Sequence, residues 1–185
     1  MADLREARLA LIPTMAAESR SGHIGRTALV KYMYFLQTLR GVPLGYRFSL
    51  YSYGPFDSEV LADLASAETL SAVQSEPVLY SGGYGYEIRP GTRSEWITKR
   101  ASDFLSLHKK DVDWVLEKFG MFNSAELEIV STVVYVDREA VQGKERIKLK
   151  ELASRVHEVK PHFSEAQILT YAQNLAADKL LKAAA

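Results

Sequence analysis

Cysteine is absent from the 185-residue chain, which excludes disulfides, thiolate metal sites and cysteine nucleophiles. A cysteine-free chain also fits a reducing compartment, so a cytoplasmic protein is the expectation. No window approaches the roughly 18 consecutive apolar residues that a membrane helix needs. The N-terminal MADLREARLALIPTM scatters charge among its apolar residues, unlike a signal peptide. Net charge is missing too, with 23 Lys and Arg against 23 Asp and Glu, so no global field steers the chain toward nucleic acid or membrane.

Catalytic signatures are equally scarce. His23, His108, His157 and His162 stand apart, without the His-Glu-x-x-His spacing that puts two ligands on one helical face. His108 and Asp111 could pair on a helix face, an arrangement more often surface decoration than a ligand set. No Gly-x-Ser-x-Gly occurs. The SGGYG run falls in a hairpin and no Gly-Lys-Ser/Thr follows it. Asp57 and Glu59, like Asp111 and Asp113, are two apart and point to different helical faces. The chain therefore reads as non-catalytic, with no cofactor and no metal.

What is present is ample core material, 47% hydrophobic residues, in a length suited to one compact domain or a small domain with a helical extension. Residues 3 to 18 have helical spacing, with Pro13 predicting a kink or division. Thr27 is the expected N-cap of a helix over 28–40 whose broad stripe of Leu, Met, Tyr and Phe predicts burial on most sides, ended by Gly41 and Pro43. Leu44, Tyr46, Phe48 and Leu50 alternate with small or polar residues, the period of a strand. Gly54 permits a sharp turn, and Pro55 suits the first turn of a helix whose inner face is Val60, Leu61 and Leu64. EPVLYSGGYGYEIRP predicts a hairpin turning at Gly82-Gly83, with Leu79, Tyr84, Tyr86 and Ile88 on one face and Val78, Tyr80, Glu87 and Arg89 on the other. After Gly91 the pattern is helical: 95–107, 111–119 stopped by Gly120, a helix opened by an Asn123/Glu126 capping box through Val136, 148–159, and a last helix capped by Ser164 running toward Lys182.

The composition shift near 91–94 predicts a mixed part over 1–91 and a helical part over 92–185. Helices, a small sheet and a terminal hairpin in that order have the plan of a winged helix-turn-helix, so the expected class is mixed α/β, mainly α. IGRTALVKYMYFLQ followed by YRFSLYSYGPFDSEVLADL resembles the small bacterial YwgA-like proteins and, more distantly, the Panacea-type antitoxin domain, which includes SocA-like proteolytic adaptors. Lys31 and Tyr34 on a helix, Tyr53 to Pro55 after a short aromatic strand, and an acidic helix start carry the resemblance. It implies a binding protein associated with toxin neutralisation.

Two surfaces follow. Asp57, Glu59 and Asp63, taken as outward on the acidic helix, together with Tyr53, form a candidate contact for a basic protein partner such as a toxin or protease component. The helix 57–68 holds four carboxylates and no cation, which argues against base readout. The alternative is a DNA-binding regulator using Arg20, Arg26, Lys31 and Arg47, because 19–56 contains basic residues and no acidic ones. The apolar stripes Ile147, Leu149, Leu152, Val156 and Ile168, Leu169, Leu175, Leu180 read as a packed helical hairpin, with a homodimer surface as the sharper option.

Overall fold

A computed structural model describes residues 3–80 and 83–184. The elements are α1 (Leu4–Glu18), α2 (Arg26–Arg40), β1 (Ser49–Tyr51), β2 (Gly54–Phe56), α3 (Ser58–Thr69), β3 (Val73–Tyr80), β4 (Gly83–Pro90), α4 (Ser94–Arg100), α5 (Ser102–Phe119), α6 (Ser124–Gln142), α7 (Leu149–Val159) and α8 (Glu165–Ala177). Helices dominate, and the strands form two separate antiparallel hairpins, β1–β2 and β3–β4. The chain divides into two compact units, Met1–Phe48 with Asp57–Phe122, and Ser49–Phe56 with Asn123–Ala185. The compositional shift near 91–94 thus falls inside the first unit, where α4 and α5 pack on α1, and the short β1–β2 hairpin belongs to the second.

In the first unit, Phe35 of α2 stacks on Phe119 of α5 at 4.2 Å between centroids, and Leu11, Ile12, Met15, Met33 and Leu36 are fully buried around them. Helix α1 is not divided at Pro13, which lies buried within it; burial of both flanks holds the helix where proline withholds a hydrogen bond. Helix α2 starts at Arg26, its N-cap being Gly25, two residues before the expected Thr27, and Gly41 ends it in the left-handed region at φ 72°. The segment expected to begin a strand at Leu44 shows the expected alternation of burial through Arg47, yet pairing begins only at Ser49. Instead, the Gln37 side chain donates to Tyr46 O at 2.9 Å and accepts from Tyr46 N at 3.0 Å, replacing a ladder partner with an amide. Pro55 lies in β2 opposite Leu50, not in a helix, and α3 starts after it, capped by Asp57.

The hairpin β3–β4 places Leu79 opposite Tyr84, Pro77 opposite Tyr86 and Ser75 opposite Ile88, which reproduces both expected faces. Of the expected Gly82-Gly83 turn, Gly82 lies outside the described residues, and Gly83 is the first residue of β4 at φ 127°. Ile24 bridges Ile88 at the base of the hairpin. The break between α4 and α5 comes at Ala101, earlier than the sequence predicts.

The second unit is built on α6, whose N-terminus carries the expected capping box of Asn123 and Glu126 and which continues past Val136 to Gln142. Helices α7 and α8 pack on each other and on α6. Of the two predicted stripes, Ile147, Leu152, Val156, Ile168 and Leu175 are buried in this packing, which accounts for most of the apolar face that a dimer would have used. Ser164 caps α8, which ends at Ala177 and not near Lys182.

The chain after α8 is held mainly by Asp137. Asp137 is fully buried; its Oδ1 accepts from Ala183 N and Ala184 N at 2.9 and 3.0 Å, and its Oδ2 from Lys182 N at 2.9 Å. Arg138 pairs with the same carboxylate and donates to Leu180 O at 2.9 Å. Three backbone amides and a guanidinium satisfy a charge that would otherwise be costly to bury. Asp137→Ala is expected to lower stability by about 3 kcal/mol in urea denaturation and to expose the amides of residues 182–184 to exchange. Unchanged stability and protection would contradict the clamp.

Candidate functional site

The acidic helix is tied to the first unit by its own carboxylates. Asp57 Oδ1 accepts from Glu59 N at 2.9 Å and Oδ2 from Arg47 N at 2.5 Å, so one side chain caps α3 and fixes the point where the chain leaves and re-enters the unit. Asp63 is 3% exposed, a correction to its outward assignment. Its Oδ2 accepts from the Tyr46 hydroxyl at 2.8 Å and lies 2.9 Å from Arg8 Nε. The Arg8 contact is an ion pair by distance, without the alignment of a hydrogen bond. Arg8 Nη2 pairs with Glu59 Oε1 at 2.5 Å, and its guanidinium lies 4.7 Å from the centroid of the Tyr46 ring. Of the three carboxylates only Glu59 stays well exposed, and it already has a cationic partner.

Position alone signals Asp63. It lies three residues after Val60 and four before Ala67, both buried, which puts it on the inner helical face. Burial pushes its carboxyl above the ordinary value of 3.8, against the Tyr46 hydroxyl and Arg8, which pull it down. The Tyr46 hydroxyl is raised by burial first and then by the charge of Asp63.

The four cations of the alternative surface differ in exposure. Arg20 and Arg47 are exposed. Lys31 is 2% exposed, so its assignment to phosphate contact is corrected: α2 is buried around this position, as its broad apolar stripe implies. Arg26 stacks its guanidinium 3.5 Å from the Tyr86 ring centroid. His108 and Asp111 do meet, at 3.1 Å, but Asp111 also binds Arg40 at 2.9 Å, and among the described residues no group of three or more His, Cys, Asp or Glu side chains could hold a metal ion.

The second unit holds a feature that sequence reasoning missed. Lys160, directly after α7, is 2% exposed. Its Nζ donates to Tyr51 O at 2.9 Å and to Ser52 O and lies 3.0 Å from Glu128 Oε1 of α6. His162 Nε2 approaches the same carboxylate oxygen at 3.3 Å. A buried cation thus grips the two carbonyls at the β1–β2 turn, while β2 packs on α6. Gly54 closes the turn at φ 87°, in the region that favours glycine. On the held turn Tyr51 is 61% and Tyr53 74% exposed, and the Tyr51 ring leans on Phe56 at 5.5 Å. Tyr53, singled out from the sequence, is therefore outward, and Tyr51 joins it. It belongs to the second unit, whereas Asp57, Glu59 and Asp63 belong to the first. A second exposed hydrophobic display sits at the far end of β3–β4, where Leu79 and Tyr84 are 69% and 84% exposed.

The raised Asp63 carboxyl has a consequence for stability. A group with a raised folded value binds more protons folded than unfolded, so its contribution is full below the ordinary value and falls as pH rises through the raised one. In urea denaturation across acidic pH, the stability of the wild type relative to Asp63→Asn is expected to decline as pH climbs above 3.8 and then level off. A difference that grows with pH would contradict the placement.

No family model matches the chain, and no curated protein is significantly similar to it.

Proposed function

We propose that the protein is a non-catalytic protein-binding module of the antitoxin or adaptor kind, and that its contact surface centres on the Tyr51–Gly54 turn. The observation that carries this reading is the turn held by Lys160 beneath two exposed tyrosines. Tyrosine supplies a large contact area for few torsions, and a turn already fixed before binding loses little entropy on association. The order of helices and the single β3–β4 hairpin in the first unit supports a winged-helix reading of that unit, with Tyr84 and Leu79 at the end of its wing. A basic partner remains the suited one for the side of α3 where Glu59 is exposed, although Arg8 already offsets part of that charge. The DNA-regulator reading through the N-terminal cations retains only Arg20 and Arg47 as exposed, uncommitted groups.

The test is capture from a lysate of the source cells on immobilised wild-type protein and on a Tyr51→Ala/Tyr53→Ala variant. Loss of a hot-spot tyrosine costs about 2 kcal/mol, roughly thirtyfold in affinity. The double variant is therefore expected to lose the wild type's specific partner while melting at the same temperature. Capture of the same proteins by both, or of none by the wild type, would overturn the assignment.

A further inference from the structure

The second unit separates its charges. Its acidic residues are largely engaged: Asp137 by the chain after α8, Glu128 by Lys160, Glu126 by the capping box and Tyr171, and Glu145 and Glu151 by Arg155 at 2.6 and 2.7 Å. Lys144, Arg146, Lys148, Lys150, Lys179 and Lys182 are all exposed, and among the described residues none of their side chains takes part in an ion pair or hydrogen bond.

Two backbone contacts gather these cations. Ile147 N donates to Ala183 O at 3.1 Å, and Ile147 bridges Ala184 in parallel. The segment carrying Arg146 and Lys148 therefore runs beside the segment carrying Lys182. Ile147 is buried between its two cationic neighbours, and because alternate residues of an extended segment point to opposite sides, Arg146 and Lys148 face outward together. Lys144 and Lys150 each lie three residues from Ile147 along the chain, and Lys179 lies four from Ala183. The Asp137 clamp fixes the Lys182 side of the arrangement.

We propose that this cluster binds the phosphate backbone of a nucleic-acid duplex. Five of the six cations are lysines, compact point charges without the bidentate fork that favours a particular carboxylate or base. Residues 144–150 and 179–184 contain no aromatic side chain. The cluster thus lacks the anchor expected at the centre of a protein interface, and the stacking platform expected for single strands. A duplex backbone asks only for charge, which it repays by releasing condensed counterions. This surface is separate from the tyrosine turn and does not depend on the reading given to it.

The test is fluorescence anisotropy of a labelled, mixed-sequence DNA duplex titrated with the full chain over a range of salt, against the Arg146→Gln/Lys148→Gln/Lys182→Gln variant. Thermal melting of both proteins serves as the folding control. The wild type is expected to bind at low salt and to weaken steeply as salt rises, and the variant's logarithmic salt slope is expected to be smaller by about three. Three outcomes would overturn the proposal. They are no binding at low salt, an unchanged slope in the folded variant, which moves the contact to cations such as Arg20 and Arg47, and polyglutamate binding as tightly as the duplex, which makes the surface one for acidic protein.

Discussion

The ammonium of Lys160, withdrawn from water and shared among two carbonyls and one carboxylate, is the constraint on which the proposed binding surface depends. An isolated buried cation is untenable, so Lys160 requires all three of its acceptors. Two of them, Tyr51 O and Ser52 O, belong to a hairpin with three residues in each strand. A hairpin that short is marginal by itself in water. The backbone pairing of β1 and β2, the packing of β2 on α6 and the grip of Lys160 together define the turn that presents Tyr51 and Tyr53. Glu128 completes the arrangement from a buried site on α6.

The same economy of charge runs through both units. Asp57, Glu59 and Asp63 look from composition like an acidic face, but each is used to hold α3: a cap, an ion pair and a buried acceptor. Asp137 plays the corresponding part for the chain after α8. The charges left outward are different ones, the lysines and arginine around Ile147. Neutral composition thus conceals a structure in which three carboxylates, Asp63, Glu128 and Asp137, are buried to bind the chain while several cations stay exposed.

What could be read from the sequence was local. The Asn123/Glu126 and Ser164 caps, the Gly41 stop, the two faces of β3–β4 and the packed stripes of α7 and α8 all depend on residues within a few positions of one another, where spacing and turn chemistry speak directly. Structure and local pattern part where a distant partner overrides a local preference. Pro55 suits a first helical turn, but Leu50 pairs with it and makes it part of a strand. Leu44 to Phe48 has the period of a strand, but a glutamine nine positions away takes the backbone of Tyr46. Of the candidate site, the exposure of Tyr53 was legible because Tyr51 and Tyr53 break the alternation before Gly54. Asp63 and Lys31 carry charge, which suggests an outward place, but their helical positions put both on buried faces. Lys160 left no sequence signal, since its acceptor at Tyr51 is 109 positions away.

Amide hydrogen exchange on Lys160→Met reads whether Lys160 pre-forms the tyrosine turn. Methionine keeps much of the aliphatic stem and removes the donor. The account predicts faster exchange across Ser49–Phe56 with protection retained in the middle of α6 and α8. Unchanged protection at the turn would contradict it and leave the two tyrosines exposed but not pre-organised.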